Sequence, residues 1–177
     1  MADLTVGGLS VVVRDLVPED EAAVLEVFAA SEDWFVAETG QPSAPGDVQS
    51  LYYVLPEGSD LDDKVLLVIE VDGRVVGMID AVQRYPHPQA ISLGLFVIRP
   101  EFRRRGLGRA VVDALLGEAR SRGFETIRTH TAVGWHSGRE FLRAMGFAFD
   151  EPGMFGTEVN RNPGPDDRPI IPAARTI

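Results

Sequence analysis

Cysteine is absent from the 177 residues. That excludes disulfides, thiolate metal sites and a cysteine nucleophile, and no metal site is expected. Cations are scarce as well. Seventeen Lys and Arg stand against 27 Asp and Glu, a formal net charge of −10. This balance argues against general binding to nucleic acid or to an anionic membrane, where clustered cations carry the affinity. No apolar run approaches the roughly 18 residues of a membrane span. The opening MADLTVGGLSVVV has no basic segment ahead of its apolar stretch and does not read as a signal peptide. A soluble cytoplasmic protein is expected.

What is present suffices for one domain with a real core, since 45% of residues are hydrophobic. LSVVVRDL (9–16) reads as a strand. PEDEAAVLEVFAA (18–30) reads as a helix, with Ala22, Leu25, Phe28 and Ala29 at helical spacing and acids in the first turn. QPSAPGD (41–47) is a loop, DVQSLYYVL (47–55) a short helix and PEGSDLDD (56–63) a connector. KVLLVIEV (64–71) and RVVGMIDAV (74–82) flank Asp72-Gly73, a strong hairpin signal. ISLGLFVI (91–98) is a buried strand, followed by a helix to about Ser121 on a stripe of Leu107, Ala110, Val111, Ala114, Leu115 and Glu118. FETIRTHTAV (124–133) reads as a strand, 136–145 as a helix, and FAFD (147–150) and MFGTEV (154–159) as strands. The last 16 residues hold four of the twelve prolines and read as a loosely attached or strapped tail. Antiparallel pairing early and a strand–helix–strand crossover later predict an α/β fold, a single-domain mixed sheet flanked by helices.

One stretch stands out against the acidic background. RPEFRRRGLGRA (99–110) gathers Arg99, Arg103, Arg104, Arg105 and Arg109 where a buried strand meets the start of a long helix. Unpaired N–H groups and the positive end of the helix dipole favour an anion there. Gly106 and Gly108 remove Cβ atoms, so a phosphate can approach the main chain. The guanidinium groups add charge-assisted hydrogen bonds. Taken alone, the stretch points to a phosphate-bearing ligand, with a pyrophosphate the natural occupant. It lacks GxxxxGK[ST] and the third glycine of GxGxxG, so neither a P-loop nor a dinucleotide fingerprint applies. The competing view is a solvated charge run in which the glycines serve only turn geometry.

VIRPEFRRRGLGRAVVDALL (97–116) resembles the acetyl-CoA signature of the GNAT N-acetyltransferase superfamily, a strand ending in Val, a Pro-Glu turn and R/Q-x-x-G-x-G/A opening a helix. FLRAMGF (141–147) resembles its second landmark, a short helix closing on Gly-Phe. The resemblance covers about residues 9–160. It implies a GNAT-like acyl-CoA N-acyltransferase domain over 1–160, with splayed central parallel strands, and leaves 161–177 as a proline-rich C-terminal tail. It implies acetyl-CoA as cosubstrate, with the pyrophosphate on the loop Arg103, Arg104, Arg105, Gly106, Leu107, Gly108 and Arg109. The strand Phe96, Val97 and Ile98 would pair its main chain with the pantetheine arm, like an added strand. A main-chain N–H near Phe96 or Val97 would hold the oxyanion. The acceptor would be a primary amine of a small molecule or peptide, attacking directly. A homodimer is a further expectation from the resemblance.

Departures from the signature matter. The tyrosine that protonates the departing thiolate in many members corresponds to Leu142, and an Asn at the start of that helix corresponds to Trp135. For the base, His130 is the candidate by location and intrinsic pKa, against the plainer role of a packed strand histidine. Glu70 and Asp80 can relay a proton through water or simply face solvent, and His87 and His136 are expected at the surface. ASEDWFVAETG (30–40) is the variable region that lines the acceptor side in the family. There Trp34 and Phe35, with Asp33 and Glu38, would form an apolar, acidic mouth, with Tyr85 on the same wall. Two other functions compete with a transferase: a non-catalytic CoA-binding or regulatory module, favoured by Leu142, and a protein whose arginine patch docks an acidic partner.

Overall fold

The computed structural model describes residues 2–150 and 169–177. Its chain opens with a hairpin that the sequence reading missed, β1 (Ala2–Val6) and β2 (Leu9–Asp15), paired antiparallel. The signal was there: two alternating runs separated by the two residues Gly7-Gly8. A short 3-10 turn leads into α1 (Glu21–Ala30), then α2 (Glu32–Thr39) and α3 (Pro45–Leu51). Helix α3 starts earlier than expected because Pro45 occupies the first helical turn, where its missing N–H is no loss.

Strands β3 (Lys64–Val71) and β4 (Arg74–Gln83) form the expected hairpin. Asp72 and Gly73 both take positive φ, 49° and 80°, as a type I′ turn requires. Strand β5 (Ala90–Ile98) follows, then α4 (Leu107–Ser121), β6 (Thr126–Ala132), α5 (His136–Ala144) and β7 (Ala148–Phe149). The strand expected at 154–159 lies outside the described residues.

The proline-rich end is not an appendage where it is described. Ile170–Thr176 forms β8, inserted in the sheet between β6 and β7. Its prolines concealed it. Pro172 stands opposite His130 at a non-hydrogen-bonded position, so its missing N–H breaks no bond to β6. Among the described residues the sheet runs β1-β2-β3-β4-β5-β6-β8-β7.

Helices cover both faces. Val24, Val27 and Phe28 of α1, Phe35 of α2 and Val48 and Leu51 of α3 pack on Val68, Met78, Leu95 and Val97. On the other face α4 spans two clusters. Leu107 and Val111 meet Val11, Ile69, Val76 and Ile79, while Val112 and Leu116 join Leu142 in covering Ile127 and Ala173. Its buried stripe is therefore Leu107, Val111, Val112, Leu116 and Ala119, rotated from the one expected, with Glu118 exposed. The helix lies across a widening sheet and needs a broader apolar face than a single stripe. Each fully buried Val or Leu here contributes about 1.5–3 kcal/mol.

Candidate functional site

The centre of the sheet comes apart. Strands β5 and β6 pair in parallel only over Ala90–Ser92 and Thr126–Arg128, although β5 continues to Ile98 and β6 to Ala132. The parting begins at a bulge: Asp80 faces Leu95 and Ala81 faces Leu93, leaving Gly94 unpaired. At the apex Thr129 Oγ1 donates to the Leu93 carbonyl at 2.9 Å, standing in for the lost ladder bond.

Alternation fixes which main-chain groups line the slot. Arg99 N–H donates to Val76 of β4, so Val97 is also turned toward β4, and the N–H and C=O of Phe96 and Ile98 face the slot. Of the two N–H groups named from the sequence, that of Phe96 faces the slot and that of Val97 is committed to the ladder. On the opposite arm, Val133 N–H points to Pro169, which leaves the N–H groups of His130 and Ala132 toward the slot. Ala132 N–H is taken by the Glu38 carboxylate at 2.9 Å, and Thr131 Oγ1 donates to the same group at 2.8 Å.

The arginine loop lies where β5 ends. A 3-10 turn at Pro100–Phe102 reverses the chain. Arg104 takes φ 60° and Gly106, the residue before α4, takes φ 84°. The left-handed region is open to glycine without a Cβ penalty, so Gly106 serves the turn. Among the described residues no side chain caps α4, and the Gly106 carbonyl accepts from Ala110 N–H. Among the described residues the N–H groups of Leu107, Gly108 and Arg109 have no acceptor, as is usual in the first turn of a helix.

The arginines divide into two kinds. Arg103 Nε donates to the Ile98 carbonyl at 2.5 Å, and its guanidinium holds Asp33 at 2.5 and 3.2 Å. Arg109 donates to the Ala144 carbonyl at the end of α5. Arg104 and Arg105 are exposed, and Arg105 lines a cavity of about 290 Å³ with Val6, Leu9, Phe102 and Leu107. Gly108 has a packing reason of its own. A Cβ there would lie 3.1 Å from the Phe141 ring, which stacks on Phe96 at 5.6 Å and 15°.

The remaining candidates scatter. Leu142 is buried in the apolar cluster under α4. Trp135 lies against Gly138, where an added Cβ would overlap the indole. Phe35 is core, packed against Phe28 and Trp34, whereas Trp34 is half-buried. Tyr85 sits in the loop before β5, at the end away from Asp33 and Arg103, a strand length of about 25 Å. It does not share a wall with Trp34. Glu70 does not face the slot; Arg14 holds it on β3, two strands away. Asp80 does not face solvent either. Its carboxylate, 15% exposed, pairs with Lys64 Nζ beside Gly94. His130 is exposed, on the sheet face opposite Ile127 and therefore on the side of α1–α3, as is Asp80. His87 and His136 are exposed. Among the described residues, no group of three or more His, Asp or Glu is placed to hold a metal ion, and no helix is long and apolar enough to cross a membrane.

The family model described as acetyltransferase (GNAT) family matches residues 28–147. Among solved structures, the chain is similar to an acetyltransferase from Thermus thermophilus, at 19% identity over 100% of both chains and a TM-score of 0.73. It is similar to the GNAT domain of PAT from S. lividans, at 14% identity over 99% of this chain and 96% of that one, TM-score 0.73. A third similar structure is the PaiA N-acetyltransferase of Thermoplasma acidophilum in complex with coenzyme A, at 15% identity over 95% and 99%, TM-score 0.63. At these identities the likeness is one of fold. No curated protein matches the sequence.

Proposed function

The chain belongs to the GNAT acetyltransferase family, and from that premise we propose that it moves the acetyl group of acetyl-CoA to a primary amine of a small molecule or peptide. One observation carries the reading: β5 and β6 part at the bulge, and the slot they leave runs toward the uncapped start of α4. The fold it shares with a coenzyme A complex supports it.

In this proposal the diphosphate rests on the N–H groups of Leu107, Gly108 and Arg109, with Arg104 and Arg105 adding charge. The pantetheine arm takes the slot-facing main chain of Phe96 and the N–H of Ile98 as a strand would, the Ile98 carbonyl being held by Arg103. Phe96 N–H points at the thioester oxygen and holds it as it becomes an oxyanion. The amine nitrogen attacks the carbonyl carbon, the C–S bond breaks, and the nitrogen loses a proton. His130 accepts that proton, being exposed on the sheet face of α1–α3 and carrying an imidazole, the commonest general base. Leu142 offers no acid, so the thiol, of ordinary pKa near 8.5, leaves as thiolate and takes its proton from water.

Buried Leu142 also favours a second reading, a CoA-binding module without turnover. Thiol release from acetyl-CoA over a panel of amines separates the two. Amine-dependent release, reduced about 100-fold in kcat by His130→Gln, is the expected result. CoA that raises Tm while no amine gives turnover would establish the module instead. Turnover with an unchanged pH profile in His130→Gln would remove His130 as the base.

A further inference from the structure

Helix α2 touches both arms of the slot. Near its start Asp33 holds the Arg103 guanidinium at 2.5 and 3.2 Å, and Arg103 Nε in turn donates to the Ile98 carbonyl at 2.5 Å. Near its end Glu38 accepts from Ala132 N–H and from Thr131 Oγ1. Ile98 C=O and Ala132 N–H are the last slot-facing groups of β5 and β6. They are the groups that would extend the parallel ladder if the arms closed. Side chains tied to one helix occupy both.

Adjacent parallel strands ordinarily zip, because unpaired main-chain groups away from water are expensive. Something must take their place where strands part. The bulge at Gly94 and the Thr129–Leu93 bond do this at the apex, and α2 does it at the open end. Asp33 and Glu38 leave the helix about 7.5 Å apart along its axis, wider than the ~4.8 Å between paired strands. The helix therefore suits arms that have separated.

We propose that α2 is a strut that holds the slot open, with Asp33 and Glu38 as positioning residues for acetyl-CoA. This deepens the transferase reading and rests on it. Glu38, from the sequence a candidate for the acceptor mouth, acts through β6 rather than on the amine. Asp33 acts through Arg103, so Arg103 belongs to the strut more than to the diphosphate. The same helix carries Trp34, so the acceptor wall and the cosubstrate slot move as one body.

The test uses the full chain and CoA titration of wild type, Glu38→Ala, Glu38→Gln and Asp33→Asn. It adds steady-state kinetics and amide exchange at Ala132. Removing a charged acceptor from two donors should raise the Kd for CoA about tenfold or more in Glu38→Ala. The acetyl-CoA KM should rise with it while kcat holds at saturation, the pattern of lost uniform binding. Glu38→Gln, which keeps one carbonyl acceptor, should fall between, and Ala132 exchange should quicken in both. Asp33→Asn should weaken CoA through the other arm. If Glu38→Ala does not fold, the Gln and Asn variants carry the test. Wild type that binds CoA while both milder variants bind it equally well would overturn the strut alone. So would a lowered Tm with cosubstrate and acceptor binding equally impaired, the mark of a merely structural role. Wild type that fails to bind CoA at millimolar concentration would overturn the transferase reading and the strut together.

Discussion

Lys64 Nζ lies 3.0 Å from Asp80 Oδ2 in hydrogen-bonding geometry and 2.8 Å from Oδ1, off axis for a bond to that oxygen. The ammonium, 6% exposed, also donates to the Val54 carbonyl. The pair ties the start of β3 to the strand beside the bulge and puts a carboxylate at the point where the slot opens.

Burial pushes the Asp80 carboxyl above the usual carboxylate range, with Lys64 opposing the shift. In the pH window between its ordinary value near 3.9 and the raised one, the unfolded chain has released this proton and the folded chain retains it. The unfolded state then binds fewer protons, so this group's contribution to stability falls as pH rises through the window. Asp80→Ala should orphan the buried ammonium and destabilise by about 3 kcal/mol in urea unfolding at neutral pH. A double variant with Lys64→Met and Asp80→Leu should recover most of that loss. Equal losses in the single and double variants would show that the pair is not the source.

Asp20 titrates the other way. Arg14 donates to both its oxygens, at 2.6 and 2.9 Å, and to Glu70 as well. Those bonds hold the Asp20 carboxyl below its ordinary range. Stability from this contact is complete above the unfolded pKa and disappears as pH falls through the folded one. Arg14→Met should lower Tm at pH 7 and narrow its difference from wild type near pH 2. A constant gap across that range would separate the effect from Asp20 ionisation.

Substitutions in the arginine loop should divide by mechanism. Arg104→Glu with Arg105→Glu should leave Tm unchanged, because both side chains are exposed, and raise the Kd for CoA about tenfold or more. Gly108→Leu should weaken CoA and also lower Tm, because the new side chain meets the Phe141 ring. Calorimetric melting beside CoA titration reads both. Full affinity in the double charge reversal would remove Arg104 and Arg105 from the anion site.

The sequence alone determined whatever depends on neighbours along the chain. Asp72-Gly73 dictated a type I′ hairpin, the apolar spacing after Gly106 dictated a helix, and two glycines among arginines marked an anion-ready helix start. Local backbone sterics and periodicity act over a few residues and remain legible in one dimension. Tertiary structure decided what depends on residues far apart in the chain. Asp33 and Arg103 are 70 positions apart, and Glu38 and Ala132 are 94. Nothing local says that Asp33 reaches Arg103, that Glu38 reaches Ala132, or that Gly108 answers to Phe141. Pairing partners also turned a proline-rich end into β8, because Pro172 falls where β6 asks for no N–H. Hydrogen-bond demand across the sheet, which no single segment contains, assigned those roles.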